Sequence, residues 1–460
     1  MNTAVILAAG QGTRMHSKIP KVLHQVCGKA MLAHVTGCVR EAGIEEQIIV
    51  VGHGAEKVME AVQEPGVIFV TQKEQKGTGH AVQMAKQVLP KTGTVVVLCG
   101  DTPLITTETL KAFIDHHEKE NNVVSVLTAL VTEPYGYGRI VKEGMQLNRI
   151  VEEKDASDEE KKICEINSGM YCFEAEFLEE HLTAISTDNA QGEYYLTDLI
   201  EMAVKGNKQA GTFLISRQEE MMGVNNRSQL ADAEKIMRKR IVQKHLLNGV
   251  TMINPETVYI DQDVVIERDT VIHPNVVLSG KTVIAEDCLI GINCRIHDSR
   301  IGKGTEIQAS TILESVVGEE THIGPYAYLR PNSNLGNRVK IGDFVEVKNS
   351  IIGDDSKASH LAYVGDADVG MRVNIGCGVV FVNYDGVNKH RSVVEDDAFI
   401  GSNSNLIAPV VIEKNGYVAA GTTITKKVPN AALAVGRPDV RLIQGWGEKK
   451  KREKEKQSNE

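Results

Sequence analysis

The chain has 460 residues, 42% hydrophobic, 24% charged and only 4% aromatic, with a formal net charge of −10. That length exceeds what one hydrophobic core ordinarily supports, so two domains are expected. The acidic balance excludes a general nucleic-acid binder, which needs a basic surface, but leaves room for small anionic substrates held in a local nest. No apolar run reaches membrane-spanning length, and Met1-Asn2-Thr3 enters an apolar strand pattern without a basic and then apolar leader. Eight cysteines lack any C-x-x-C pair. Most lie in apolar contexts, as at Cys99, Cys164, Cys172 and Cys288, and read as reduced core residues of a cytoplasmic protein.

Ala4-Val5-Ile6-Leu7-Ala8 is apolar without a period, as a strand covered on both faces would be. Similar runs follow at 47–51, 67–70, 95–99 and 123–127, with helical patterns at 31–42 and 79–88 between them. This alternation predicts an α/β domain with a Rossmann-like, mainly parallel sheet and a ligand at the carboxyl edge of its strands. The first run breaks into Ala9-Gly10-Gln11-Gly12-Thr13-Arg14-Met15. Gly10 and Gly12 would let backbone N–H groups approach a phosphate, and Arg14 and Lys21 add positive charge. A bare G-x-G is equally a turn; neither a Walker motif nor a complete dinucleotide fingerprint is present. Gln72 to Gly79, with Gly77 and Thr78, precedes a helix and offers amide and hydroxyl groups suited to a pyrimidine edge, or to a helix cap. Asp101 follows the fourth run and suits Mg²⁺, which takes one or two carboxylates and shares phosphate oxygens, or a turn or cap before Thr102-Pro103. Asn225 would give an oxygen to the same metal, or simply a turn. Tyr137-Gly138-Arg139-Ile140, Ile150-Val151-Glu152-Glu153-Lys154, Glu165-Ile166-Asn167-Ser168-Gly169 and Glu193-Tyr194-Tyr195-Leu196-Thr197-Asp198 are, taken singly, strand ends and turns.

Leu230, Ala233, Met237 and Ile241 follow helical spacing up to Asn248-Gly249, and predict a connecting helix whose Arg238-Lys239-Arg240 is a solvated face. Beyond it aliphatic residues recur every six positions: Ile260, Ile266, Ile272, Leu278, Ile284, Ile290, Ile296, then after five-residue slips Ile323 to Val347 and Val394 to Ile424. Helices repeat at 3.6 and strands at two, so a sustained six marks short strands joined by corners, a parallel β-helix. Small or β-branched residues two positions earlier (Val258, Val264, Thr282, Cys288) suit inward sites, and Gly291, Gly302, Gly324, Gly342, Gly401 and Gly421 supply backbone freedom at turns. At about 4.8 Å per coil, roughly nine coils would make a prism about 45 Å long. Polar exceptions gather late in the ladder. Arg330, Lys348 and Lys389 would hold a sugar phosphate, Tyr363 would orient the sugar or the thioester, and Asn374 precedes an insertion at about 379–393. His360, two residues beyond inward Ala358, is a surface histidine or a general base, histidine being a residue type suited to accept an ammonium proton. From Gly447 mixed charges imply a flexible tail.

The ordered set, from Leu7-Ala8-Ala9-Gly10-x-Gly12-Thr13-Arg14-Met15 with Pro20-Lys21 to the hexapeptide ladder, resembles one family over residues 3 to 446. It is the bacterial bifunctional UDP-N-acetylglucosamine pyrophosphorylase / glucosamine-1-phosphate N-acetyltransferase. The resemblance implies a uridylyltransferase domain (1–227), a linker helix (228–249), a left-handed β-helix acetyltransferase domain (250–446) and a tail (447–460). It implies that Leu7, Ala8, Ala9, Gly10, Gln72, Gly77 and Thr78 contact the uridine nucleotide, that Arg14 and Lys21 sit on its phosphates, and that Asp101 and Asn225 hold Mg²⁺. Gly138, Glu152, Asn167 and Thr197 would line the N-acetylglucosamine pocket. Arg330, Lys348, Tyr363, Asn374 and Lys389 would bind glucosamine 1-phosphate, with His360 as base. Asn383, Tyr384, Ser402, Ala420 and Arg437 would contact the sugar phosphate or acetyl-CoA, and Cys377 the acetyl-CoA. Acetyl-CoA and UTP would be co-substrates, the assembly a homotrimer with shared acetyl sites, and the product a cell-wall precursor. Cys377 and Asn332 depart from the family pattern, which has alanine and glycine there. Two rivals are a thymidylyltransferase with a fused acyltransferase and a non-catalytic scaffold of the same folds. The Gln72, Glu152 and Asn167 regions argue against the first; Arg14, Lys21 and Asp101 argue against the second.

Overall fold

The computed structural model describes residues 2–458, so Met1 and the last two tail residues, Asn459 and Glu460, lie outside the described residues. Two compact units divide the chain: Met1–Gln243 with Ile260–Gln262, and Lys244–Tyr259 with Asp263–Glu460. The division falls inside a helix, Arg227–Leu247, rather than at its end. Arg240 in that helix is not part of a solvated face, because its guanidinium donates to the Leu104 carbonyl at 2.6 Å.

The first unit is built on a nine-stranded sheet. Thr3–Ala8 lies between Glu46–Val51 and Thr94–Cys99, parallel to both, and Val67–Thr71 extends the parallel edge. Glu165–Glu174 runs antiparallel beside Thr94–Cys99 and Val124–Leu130, and carries the hairpin Arg139–Glu143/Gln146–Val151. Neighbouring residues point to opposite faces, so Ala4 and Ile6 join one core with Leu32, Val35 and Phe113, while Val5 joins another with Val97, Phe173 and Leu178. Both faces are covered, which is why these strands read as unbroken apolar runs.

The second unit is a parallel β-helix of three sheets holding 11, 10 and 9 strands. Val265–Ile266 pairs with Val283–Ile284 and Val271–Ile272 with Leu289–Ile290, each three hexads on, so three rungs close one coil. A five-residue slip shortens the coil without losing register, as between Val283 and Arg300. Every aliphatic ladder residue named above is buried, and so are the small residues two positions before it. Where those are hydroxyls, some bond the carbonyls of the next coil, as Thr305 does to Gly318 O at 2.8 Å and Ser356 to Gly370 O at 2.7 Å, and others a carbonyl of their own coil, as Thr282 does to Ser279 O at 2.7 Å. That satisfies buried polar atoms that would otherwise be costly. Gly291 and Gly401 correct one expectation: they are not in left-handed backbone but under the next coil, whose main chain a Cβ would meet at 2.9 Å or less. Left-handed corners fall three residues before most rungs. Asn332 occupies one (φ 63°), a conformation asparagine tolerates, so its departure from glycine leaves the turn intact. With Ile341 fully buried and Lys340 beside it exposed, Ile341→Ala should cost about 2–5 kcal/mol and Lys340→Ala less than about 0.5 kcal/mol. Equal urea midpoints for the two variants would contradict the ladder.

Three further expectations are corrected. The insertion is shorter: Val379 and Phe381 stay buried on the ladder, and the part that leaves it is 383–391. The tail is a helix, Trp446–Gln457, because lysine, arginine and glutamate are strong helix formers and Lys450 pairs with Glu453 at 2.8 Å. Cys164 is exposed, on the turn before Glu165–Glu174. Among the described residues no helix is long and apolar enough to cross a membrane.

Candidate active sites

In the first unit the predicted nucleotide residues lie at the carboxyl ends of parallel strands of one sheet. Thr3–Ala8 delivers Ala9 to Gly12, Val67–Thr71 delivers Gln72, and Thr94–Cys99 delivers Asp101. Gly10 has open space where a side chain would stand, whereas Gly12 (φ 62°) is needed for packing: a Cβ there would fall 2.7 Å from Lys21 Cβ. Buried Gln72 donates to Gly77 O at 3.3 Å and meets His80 Nδ1 at 3.0 Å. Gly77 (φ 104°) passes under Tyr194 O, and Thr78 Oγ1 accepts from Leu196 N at 3.4 Å. His80 is not among the sequence motifs, and Tyr194 belongs to the run ahead of Thr197; both hold this loop.

Four residues separated by up to 211 positions meet at Lys21. Its ammonium bonds the Asp101 carboxylate and Asn225 Oδ1 (3.1 Å), and Arg14 reaches the same Asn225 oxygen at 3.0 Å. Lys21 and Asp101 are only 15% and 16% exposed. Asp101 and Asn225 thus offer two hard oxygen donors around one cation. Among the described residues no group of three or more His, Cys, Asp or Glu is placed to hold a metal. A site with two protein oxygens fits Mg²⁺, which keeps waters and takes substrate phosphate oxygens, better than a metal that needs a full protein cage. Cys99, beside Asp101, has its thiol pushed up to about 12, by burial first and then by the Asp101 charge.

The predicted sugar residues also meet. A Cβ on Gly138 would lie 3.3 Å from Glu152 Oε1 and 3.4 Å from Asn167 Cβ, and Thr197 hydrogen-bonds Glu152. Asn167 is fixed by donating to Tyr171 OH at 2.8 Å and accepting from Gly169 N at 2.9 Å. Burial, then the charges of Asp155 and Asp198, raise the Glu152 carboxyl. Burial, then Glu201 and Asp155, raise Asp198 from 3.8 to about 6. A carboxyl raised in the fold gives stability that is lost as pH climbs through its folded value. The parent's melting temperature should therefore fall more between about pH 5 and pH 7 than that of Asp198→Asn; parallel curves in calorimetry would refute this.

In the second unit the predicted residues form two groups either side of one corner. Arg330 and Lys348 stand on successive coils of one sheet, and Tyr363, on the coil after them, is in register with Glu346. Arg330 pairs with Glu346 at 2.8 Å and Lys348 with Asp366 at 3.6 Å, and Asn383 bonds both the Asp366 carboxylate and Tyr363 OH (3.2 Å). Lys389 joins them: the Lys348 ammonium, at hydrogen-bond distance, holds it below the usual lysine range. Tyr384 bridges back to Lys389 across the base of the insertion. Glu346 and Asp366 are anionic partners that no spacing or motif singles out.

The second group is a column. His360, Cys377, Ser402 and Ala420 each stand two residues past an inward rung (Ala358, Ile375, Ile400, Val418). Main-chain bonds join their turns coil to coil, Leu361 O with Gly378 N at 3.0 Å, Cys377 O with Asn403 N and Ser402 O with Gly421 N, both at 2.8 Å. Arg437 follows beside Gly421, and Asn374 lies on the strand before Cys377. Three coil steps separate His360 from Ala420, about 14 Å. Arg437 and Ala420 are therefore not part of the cation cluster; they line an extended edge. His360 is 60% exposed, and its Nδ1 lies 2.6 Å from Asp343 Oδ1.

A MobA-like NTP transferase domain matches residues 4–155, and a GMPPB C-terminal domain matches residues 255–330. Curated relatives align over nearly the whole chain. "Bifunctional protein GlmU" of Alkaliphilus oremlandii is 59% identical, covering 97% of this chain and 98% of that protein. The protein of the same name from Clostridioides difficile is 55% identical, over 97% of each, and that from Clostridium perfringens is 53% identical, over 97% and 99%. Among solved structures, UDP-glucose pyrophosphorylase complexed with UDP-glucose aligns with TM-score 0.45 and 20% identity, over 52% of this chain and 99% of that one. On the full-length relatives, two units and motif order together, the chain belongs to the bifunctional GlmU family of UDP-N-acetylglucosamine pyrophosphorylase / glucosamine-1-phosphate N-acetyltransferases.

Proposed function

We propose that the second unit acetylates glucosamine 1-phosphate with acetyl-CoA, and that the first unit then joins N-acetylglucosamine 1-phosphate to UTP, giving UDP-N-acetylglucosamine and pyrophosphate for cell-wall precursor synthesis. The observation that carries this reading is the meeting of Arg14, Lys21, Asp101 and Asn225 at one point of a sheet's carboxyl edge. Uridylyl transfer is an in-line displacement in which the sugar phosphate attacks the α-phosphorus and pyrophosphate leaves. Catalysis of that kind is positioning and charge neutralisation. Lys21 and Arg14 meet the phosphates; Leu7 to Gly10, Gln72, Gly77 and Thr78 hold the uridine; Gly138, Glu152, Asn167 and Thr197 hold the acetylated sugar. Mg²⁺ held by Asp101 and Asn225 would supply further charge neutralisation at the phosphates.

In the acetyltransferase site Arg330, Lys348 and Lys389 take the sugar phosphate, with Tyr363, Asn374 and Asn383 on the sugar. His360 removes the ammonium proton, and the nitrogen lone pair attacks the thioester carbonyl. The column through Cys377, Ser402 and Ala420 to Arg437 suits the length of coenzyme A, and Tyr384 flanks its entry. The chain works as a cytoplasmic homotrimer whose acetyl sites are completed by a neighbouring copy, a reading supported by the exposure of His360 in a single chain. A panel of nucleoside triphosphates and sugar 1-phosphates with Mg²⁺ tests the uridylyl assignment. Pyrophosphate should appear with UTP and N-acetylglucosamine 1-phosphate; release with dTTP and glucose 1-phosphate instead would replace it with the thymidylyltransferase reading.

A further inference from the structure

We propose that Asp343 is the positioning residue for His360: it accepts the Nδ1 proton and so leaves Nε2 as the atom that takes the proton from the amine. The inference rests on the reading of His360 as the base of acetyl transfer. His360 Nδ1 lies 2.6 Å from Asp343 Oδ1, and the two residues face each other in register on adjacent coils. Asp343 belongs to the same column as His360, Cys377 and Ser402, standing two residues beyond the inward rung Ile341. Its carbonyl also accepts the Leu361 N–H at 2.9 Å, so one residue holds both the ring and the corner that follows it.

An ionised carboxylate can only accept, so the ring nitrogen facing it carries the proton and the neutral ring has its lone pair on Nε2. The hydrogen bond from His360 holds the Asp343 carboxyl below the usual carboxylate range, which keeps it ionised wherever the ring is neutral. The other titratable neighbours are Lys357 on the same strand, Cys377 on the following coil and Tyr363 past the corner. In the step itself Nε2 takes one ammonium proton, nitrogen forms the amide bond as the C–S bond breaks, that proton passes to the departing thiolate, and the second proton shed by the nitrogen goes to solvent. Asp343 stabilises the imidazolium present between those two transfers. In a single chain both side chains are partly exposed, His360 60% and Asp343 37%, and an ion pair of that kind is worth about two- to fivefold.

The test is the pH dependence of kcat for acetyl transfer at saturating substrates, in the parent, Asp343→Asn, Asp343→Ala, Asp343→Glu and His360→Ala, with uridylyl transfer as the control for folding. Asp343→Asn and Asp343→Ala should lower kcat about two- to fivefold at neutral pH, move the acidic limb to lower pH, and leave both KM values within about twofold. Asp343→Glu should move the limb back. An acidic limb that stays in place in both variants, while His360→Ala abolishes acetyl transfer, overturns the role of Asp343 alone. Acetyl transfer that survives in His360→Ala overturns the reading beneath it.

Discussion

His360→Ala is expected to lower acetyl transfer to glucosamine 1-phosphate by about 10²–10⁴-fold, the range that a general base contributes. Pyrophosphate release, assayed with N-acetylglucosamine 1-phosphate supplied directly, should stay within about twofold of the parent. The reason is local. The side chain stands on a rigid coil, outside the buried ladder, so its removal opens no cavity and leaves the cations around Lys348 in place. Near-parental thiol release from acetyl-CoA in this variant would remove His360 from the chemistry. Loss of both activities would mean that the substitution had damaged the whole chain.

Asp101→Ala should show the mirror pattern, with pyrophosphate release down at least about 10²-fold and thiol release intact. Asp101 is the one carboxylate bonded to Lys21, and it stands beside Asn225, which accepts from both Lys21 and Arg14. Without it the two cations keep a single neutral partner, and the oxygen pair that fits Mg²⁺ is halved. A variant that still releases pyrophosphate at the parental rate would show that the quartet is structural.

The ladder was legible because its period belongs to no other element: each inward rung falls in step, and even the five-residue slips preserve the next contact. The α/β unit was legible because strands covered on both faces carry no alternation and end where Gly10, Gln72 and Asp101 begin. The His360 column was also available in principle. Once rungs are marked, Asp343, His360, Cys377, Ser402 and Ala420 share one phase, and Asp343 could have been read off that phase. Other features were out of reach. The pairing of Lys348 with Asp366 depends on the register between coils, and the bond from Asp366 to Asn383 follows a path into the insertion that spacing does not define. The tail misled because a mixed charge run looks alike whether solvated as coil or as an isolated helix; its Lys450–Glu453 spacing was the available clue. Gly291 and Gly401 misled for a related reason, since a glycine kept for close approach between coils reads the same as one kept for a turn.

The central claim is that one chain carries two separate active sites, and mixing the two variants tests it most directly. His360→Ala and Asp101→Ala, each given glucosamine 1-phosphate, acetyl-CoA, UTP and Mg²⁺, should make no UDP-N-acetylglucosamine alone. The mixture should make it, because the Asp101 variant supplies the acetylated sugar phosphate that the His360 variant consumes. A mixture as silent as its components would contradict the account.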